Sequence, residues 1–401
     1  MTSPIPAFSI APFAITRVPR IEFGRGAVAR VPEIAAHYGK SLLLVTGRHA
    51  FVESPAGERL FAALKARGLT WQHLRVGGEP SPQFVDAAVA AHRGANIDVV
   101  VGIGGGSALD AAKAIAGLLR PGNSVMDHLE GVGPELPYGG PATPFIAVPT
   151  TAGTGSEATK NSVLSVQGVD GFKKSFRDDA LVAEWAVVDP DLLASCPPEL
   201  IAADGMDAFT QLLESFVSTR ANPMTDALAR SGIMAVKDAL LSLYHEQSAA
   251  ARDRMAYASL LSGICLAQAG LGSVHGLAAP LGAFFPIPHG VVCGTLAATA
   301  TAVNIAAMDA REPDNPALPK YAEIGRRFAM QKGLNGRDAR DYLVTTLRQW
   351  DEQLKLPRLS AYRIGAADFP RIVANSRGSS MKTNPIVLTD TEITQILEAR
   401  L

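Results

Sequence analysis

Cysteine is scarce in this 401-residue chain: Cys196, Cys265 and Cys293 are odd in number, far apart and without a C-x-x-C pair. That spacing supports neither a disulfide framework nor a cysteine-based zinc site, and reduced thiols in the cytoplasm are the expectation. An excess of either charge is missing too. Lys and Arg total 37 against 38 Asp and Glu, a net charge of −1. With no basic cluster, the balance argues against a nucleic-acid or anionic-membrane surface. Residues Met1 to Ile15 hold no Lys or Arg and are interrupted by Pro4, Pro6 and Pro12, unlike a signal peptide. The run 291–308 is free of charge, but it is rich in Ala and Thr and contains Asn304, so a buried helix is expected there rather than a membrane span. Internal repeats and low-complexity linkers are absent.

What is present is enough apolar material for two cores. Hydrophobic residues make up 47% and charged residues 19%, which is the composition of a folded chain of about two domains. Ser41–Val45 and Asp98–Ile103 are short, almost wholly apolar runs of the kind buried on both faces of a parallel sheet. Helical spacing over 55–67, a strand over 70–76 and an Ala/Val-rich helix ending near Gly94 complete a βαβ pattern. Further strands are expected at Thr143–Val148 and Ala186–Asp189. After Pro197-Pro198 the pattern is helical only, over 202–218, 226–244 and 252–269. Leu343, Leu347, Trp350 and Leu354 mark an amphipathic helix, and Thr389-x-x-Glu392 has the spacing of a capping box. The expected fold is an α/β N-terminal domain over 1–195 with a parallel sheet, followed by an all-α domain over 196–401.

Two loops follow predicted strands. Gly104-Gly105-Gly106-Ser107, with Asp110 and Lys113 beyond, opens a helix, and backbone N–H groups at such a turn can cradle a pyrophosphate. A tight strand-to-helix turn without a ligand is the alternative. The second loop, Pro149-Thr150-Thr151-Ala-Gly-Thr154-Gly-Ser-Glu157, offers hydroxyls and glycines, although such clusters also occur as plain turns.

His275 and His289 lie in an apolar, small-residue stretch, where an imidazole needs a hydrogen-bond partner or a metal. Each could be a satisfied core residue. Upstream, Asp207 and Gln211 stand at i and i+4 of a helical pattern and share one face. A carboxylate, an amide oxygen and two imidazoles form a mixed N/O donor set suited to Fe²⁺ or Zn²⁺.

These motifs, nearly end to end, resemble the iron-containing (group III) alcohol dehydrogenase family of the dehydroquinate synthase-like superfamily. The resemblance implies a dinucleotide-binding N-terminal domain and a helical metal and substrate domain. It implies cofactor contacts at Gly104, Gly105, Gly106, Ser107, Asp110, Thr150, Thr151 and Thr154. Lys173 is implied as a further contact, with Lys174 adjacent and a solvated lysine as the alternative. Asp207, Gln211, His275 and His289 are implied metal ligands for Fe²⁺ or Zn²⁺. The implied reaction is hydride transfer between nicotinamide C4 and a metal-polarised carbonyl of a small alcohol, aldehyde or ketone, by a homo-oligomer. At Gly47, where dinucleotide folds often place an acid against the ribose, this chain continues Arg48-His49, which favours NADP over NAD.

Two departures stand out: Gln211 and Ala279 occupy positions where many members have His. The first weakens a ligand and the second removes a proton relay, which points to a specialised substrate. A metal-independent, maleylacetate reductase-like oxidoreductase is the main alternative. A non-redox, dehydroquinate synthase-like lyase would need a basic pocket, and Arg220 and Arg230 are isolated. A binding protein on a decayed enzyme scaffold is disfavoured by the retained ligand and cofactor motifs.

Overall fold

The computed structural model describes residues 10–401; most of the segment expected not to be a signal peptide therefore lies outside the described residues. The strands are β1 (Arg20–Phe23), β2 (Ser41–Gly47), β3 (Thr70–Val76), β4 (Val99–Gly104), β5 (Phe145–Pro149), β6 (Asn161–Val166), β7 (Phe172–Arg177) and β8 (Trp185–Val188). Helices α1 (Val31–Ala36), α2 (Pro55–Ala66), α3 (Pro82–His92) and α4 (Gly106–Leu118) are interleaved with them. Ser54 and Ser81 cap α2 and α3, each followed by a proline at the first helical position. The fixed φ of proline suits that position, and its missing N–H would have had no helical partner there.

Six strands form one parallel sheet in the order β1-β8-β5-β4-β2-β3. β4, the run Val-Val-Val-Gly-Ile-Gly, is buried along its whole length. From β2 the chain steps outward to β3, then crosses back to place β4 on the other side of β2. The carboxyl ends of β2 and β4 are thus a topological switch point, where an open α/β sheet leaves a crevice. The sequence pattern did not reveal β6 and β7, an antiparallel hairpin outside the main sheet.

After β8 the chain, among the described residues, is helical: α5 (Pro198–Val217), α6 (Pro223–Glu246), α7 (Ala249–Ala269), α8 (Ser273–Phe284), α9 (His289–Arg311), α10 (Ala317–Ala329), α11 (Gly336–Gln353), α12 (Phe369–Ala374) and α13 (Asp390–Glu398). α5 packs on α6, α7 and α9 and is the hub of the largest apolar core. α9 is long and apolar enough to cross a membrane by composition, yet 83% of that stretch is buried inside the protein. The capping box at Thr389 forms as expected, with Ile393, Ile396 and Leu397 buried.

The loop after β5 docks on α7 through two glycines. A Cβ at Gly263 would lie 2.0 Å from the Gly155 carbonyl oxygen, closer than non-bonded atoms approach. Because backbone rather than a movable side chain is in the way, Gly263→Ala should lower unfolding free energy by about 1–3 kcal/mol. Urea unfolding of the variant measures this, and an unchanged midpoint would show that the loop does not dock tightly on α7.

Candidate active site

The switch point and the helical half face each other across a cleft of about 700 Å³. At one end Gly105 and Gly106 meet the loop that follows β5. A Cβ at Gly105 would come within 3.3 Å of Thr151, and one at Gly106 within 2.8 Å of Thr154. α4 begins here with no side chain capping its N-terminus. Its first N–H groups are left for an anion, and bare glycine backbone lets one come close. Gly47, Gly105, Gly106, Ser107, Asp110, Thr151 and Thr154 all line the cleft. Gly104 and Thr150 sit behind that wall, joined by the bond from the Thr150 N–H to the Gly104 carbonyl, 3.0 Å. Lys173 lines the cleft as an ion-pair partner of Glu79, whose other oxygen accepts from Ser165, 2.6 Å. Lys174 also reaches the cleft wall.

A polar layer supports this end. Asp110 accepts from the Ser156 hydroxyl at 2.6 Å and the Val163 N–H at 3.1 Å, which fixes the loop after β5 and the start of the hairpin to α4. One helical turn on, fully buried Lys113 donates to the carbonyls of Ser156 and Asn161, both at 2.7 Å, and to Thr159 Oγ1 at 2.9 Å. Burial pulls the Lys113 ammonium down to about 8. Burial also pushes the neighbouring Glu157 carboxyl up to about 7, against the pull of Lys113.

At the other end of the cleft α5, α8 and α9 converge. Asp207 Oδ1 is 3.2 Å from His275 Nε2 and 3.8 Å from His289 Nε2. Glu214 Oε2 accepts from His275 Nδ1 at 2.7 Å. That bond orients the ring so that Nε2 meets the Asp207 carboxylate, a position where a divalent cation can take the place of a proton. Asp207 is 1% exposed, and its Oδ2 has no hydrogen-bond partner. A buried carboxylate oxygen without a partner is costly. The donor set and the orphaned oxygen fit a divalent metal. Burial alone would raise Asp207, but His289 and His275 hold it well below the usual carboxylate range. Burial takes His289 down to about 4, while His275 is raised because Cys293, Asp207 and Glu214 outweigh its burial.

Gln211 lines the cleft one turn beyond Asp207, with its Oε1 accepting from Ser262 at 3.2 Å. Ala279 lines it as well. Three residues were not anticipated. Glu214 lies at i+7 from Asp207, on the face that Asp207 and Gln211 share, and that spacing could have revealed it. Cys293 lies one turn after His289 on α9, with Sγ 3.5 Å from His275 Nε2 and 3.7 Å from His289 Nε2. Asp204, one turn before Asp207, lines the cleft, and burial beside charged Asp207 pushes it up to about 7.

A parallel sheet with a glycine turn at its switch point, facing a buried carboxylate–imidazole cluster, is an α/β-plus-helical fold with room for an anionic ligand at one end of its cleft and a cation at the other. Comparison with known proteins narrows the class. Residues 19–190 match the family model "Iron-containing alcohol dehydrogenase", and residues 201–401 match "Fe-containing alcohol dehydrogenase family, C-terminal". Alcohol dehydrogenase 4 of Saccharomyces cerevisiae (strain YJM789) is 31% identical over 94% of this chain and 95% of its own. The 1-propanol dehydrogenase PduQ of Salmonella typhimurium is 33% identical over 87% of this chain and 90% of its own. Among solved structures, a 1,3-propanediol oxidoreductase superposes with TM-score 0.85 at 29% identity, covering 98% of this chain and 100% of its own. A sulfoacetaldehyde reductase from Bifidobacterium kashiwanohense, in complex with NAD⁺, gives 0.82 at 26%, covering 97% and 99%. The chain belongs to the iron-containing alcohol dehydrogenase family and is an oxidoreductase acting on CH–OH groups.

Glu157 gives the site a pH signature. Its carboxyl titrates near 7 in the folded protein against an ordinary value of 4.5, so between those values the folded state binds more protons than the unfolded. Stability from this group therefore falls as pH rises through that window. Glu157→Gln should flatten the slope by about one proton and raise stability above pH 7 by about 3 kcal/mol. Unfolding free energy measured at several pH values would reveal a mistaken assignment as an unchanged slope.

Proposed function

We propose that the protein is a metal-dependent alcohol dehydrogenase that reduces an aldehyde or ketone with NADPH. The observation that carries this is the single cleft running from Gly105 and Gly106 to Asp207, His275 and His289. Residues 1–195 would hold the cofactor and residues 196–401 the metal and substrate. When bound, the nicotinamide exchanges hydride and a divalent cation polarises the substrate oxygen. Asp207, His275 and His289 would hold that cation, with Glu214 orienting His275. The glycine turn and the α4 N-terminus would hold the pyrophosphate, and Thr151 and Thr154 the adjoining groups. With Ala279 in place of an imidazole on the wall, the proton would come from water or from the substrate's own polar group.

The preference for NADPH rests on the end of β2. No carboxylate follows Gly47. The Arg48 guanidinium lies beside Gly77, near enough that a Cβ there would come within 2.7 Å of its Nη2. His49 is paired with Glu53 at 2.7 Å, which leaves Arg48 as the charge for a 2′-phosphate.

Initial rates with a panel of short aldehydes and ketones test the reaction, with Asp207→Ala as the control. Turnover should be present in the wild type and fall by at least about 100-fold in the variant. Full activity in Asp207→Ala would move the assignment to a metal-independent reductase. Arg48→Glu should raise KM for NADPH about tenfold relative to that for NADH; equal effects on both would remove the cofactor preference.

A further inference from the structure

The family-like ligand set is one donor short in this chain. Gln211 stands where an imidazole would serve, and its carbonyl oxygen lies 3.2 Å from the Ser262 hydroxyl, whose single proton is shared among that oxygen and the Ser259 and Gly153 carbonyls at 2.8 and 3.3 Å. The side chain is thus held in a polar link between α5, α7 and the loop after β5. Meanwhile Cys293, which is 0% exposed, turns its sulfur into the cluster. Asp207, His275, His289 and Cys293 each offer one donor atom, and all four atoms lie within 4.8 Å of one another.

The separations are informative. A tetrahedral zinc with bonds of about 2.0 Å to nitrogen and about 2.3 Å to sulfur places those ligand atoms about 3.6 Å apart, and two N or O ligands about 3.3 Å apart. The sulfur stands 3.5 and 3.7 Å from the two imidazole nitrogens, and the carboxylate oxygen 3.2 and 3.8 Å from them. Asp207 Oδ2, buried and without a partner, is the independent sign that this cluster awaits a cation.

We propose that Cys293 is the fourth protein ligand, so that the centre is an Asp-His-His-Cys site of zinc type, with Gln211 as a neighbour rather than a ligand. A carboxylate and a thiolate together neutralise a divalent ion, which removes the net charge that would otherwise be buried under α9. Sulfur ligation favours zinc over iron, which N/O ligands alone accommodate. The His289 side chain, 27% exposed, marks the side on which the centre still faces the cleft. The change of ligand set is a helix-for-helix exchange: the donor lost one turn after Asp207 on α5 is replaced one turn after His289 on α9.

This inference rests on the metal-dependent reading above, and Co²⁺ as a probe separates the two. Apoprotein titrated with Co²⁺ should bind about one ion per chain and develop an intense thiolate-to-cobalt charge-transfer band in the near ultraviolet. Cys293→Ser should abolish the band and weaken Zn²⁺ binding at least about tenfold, whereas Gln211→Ala should keep the band. If Cys293→Ser does not fold, persistence of the band in Cys196→Ser and Cys265→Ser assigns it to the remaining cysteine. Cobalt bound by the wild type without the band, or a band that survives Cys293→Ser, would overturn the thiolate ligand and leave the metal reading standing. No cobalt binding at all would overturn both.

Discussion

The candidate metal centre depends on one carboxylate, that of Glu214. It accepts from the Gly272 and Val274 N–H groups at 2.9 and 2.7 Å and from His275 Nδ1 at 2.7 Å. The first two bonds satisfy donors at the start of α8 that the helix itself cannot, and place negative charge where the helix dipole favours it. The third fixes the ring so that Nε2 faces Asp207. Helix position and ring orientation are thus set by the same group, two turns along α5 from Asp207. Without it, α8 would lose its cap and His275 its direction.

The glycine-turn end of the cleft is built on the same logic with opposite sign. A buried ammonium, Lys113, gathers carbonyls and hydroxyls of the loop after β5 and the start of β6, while Asp110 on the same helix accepts from their neighbours. Helix α4 therefore presents its uncapped N-terminus to the cleft and anchors the opposing loop from its side. Close contact of Gly155 with Gly263 joins that loop to α7, and Ser262 next to it reaches Gln211. A short chain of contacts thus runs from the glycine turn to the neighbourhood of the carboxylate–imidazole cluster, which lets two distant stretches of sequence set one cleft geometry.

Much of this was legible in the sequence. The apolar runs of β2 and β4 identify buried parallel strands because both faces of such strands are covered. The switch to helices near residue 195 is visible because strand-like runs stop there. The hairpin β6–β7 escaped because Phe172-Lys-Lys-Ser-Phe-Arg177 is only half-buried and offers little apolar alternation, although Asp170-Gly171 between the strands is a turn signal. Lys113 and Glu157 appear as parts of motifs, but their burial comes from packing that no local pattern encodes. Cys293 was weighed against other cysteines, whereas its meaning lies in being one helical turn from His289.

A divalent ion among Asp207, His275 and His289 would join α5, α8 and α9 at the floor of the cleft. The most direct check is elemental analysis of protein purified without oxygen or chelator, with thermal unfolding measured before and after chelation. About one iron or zinc per chain is the predicted result, together with a fall in unfolding temperature when the ion is removed, because binding to the folded state adds to its stability. No metal in the purified protein, and none taken up on reconstitution, would mean that Asp207, His275 and His289 do not form a metal centre.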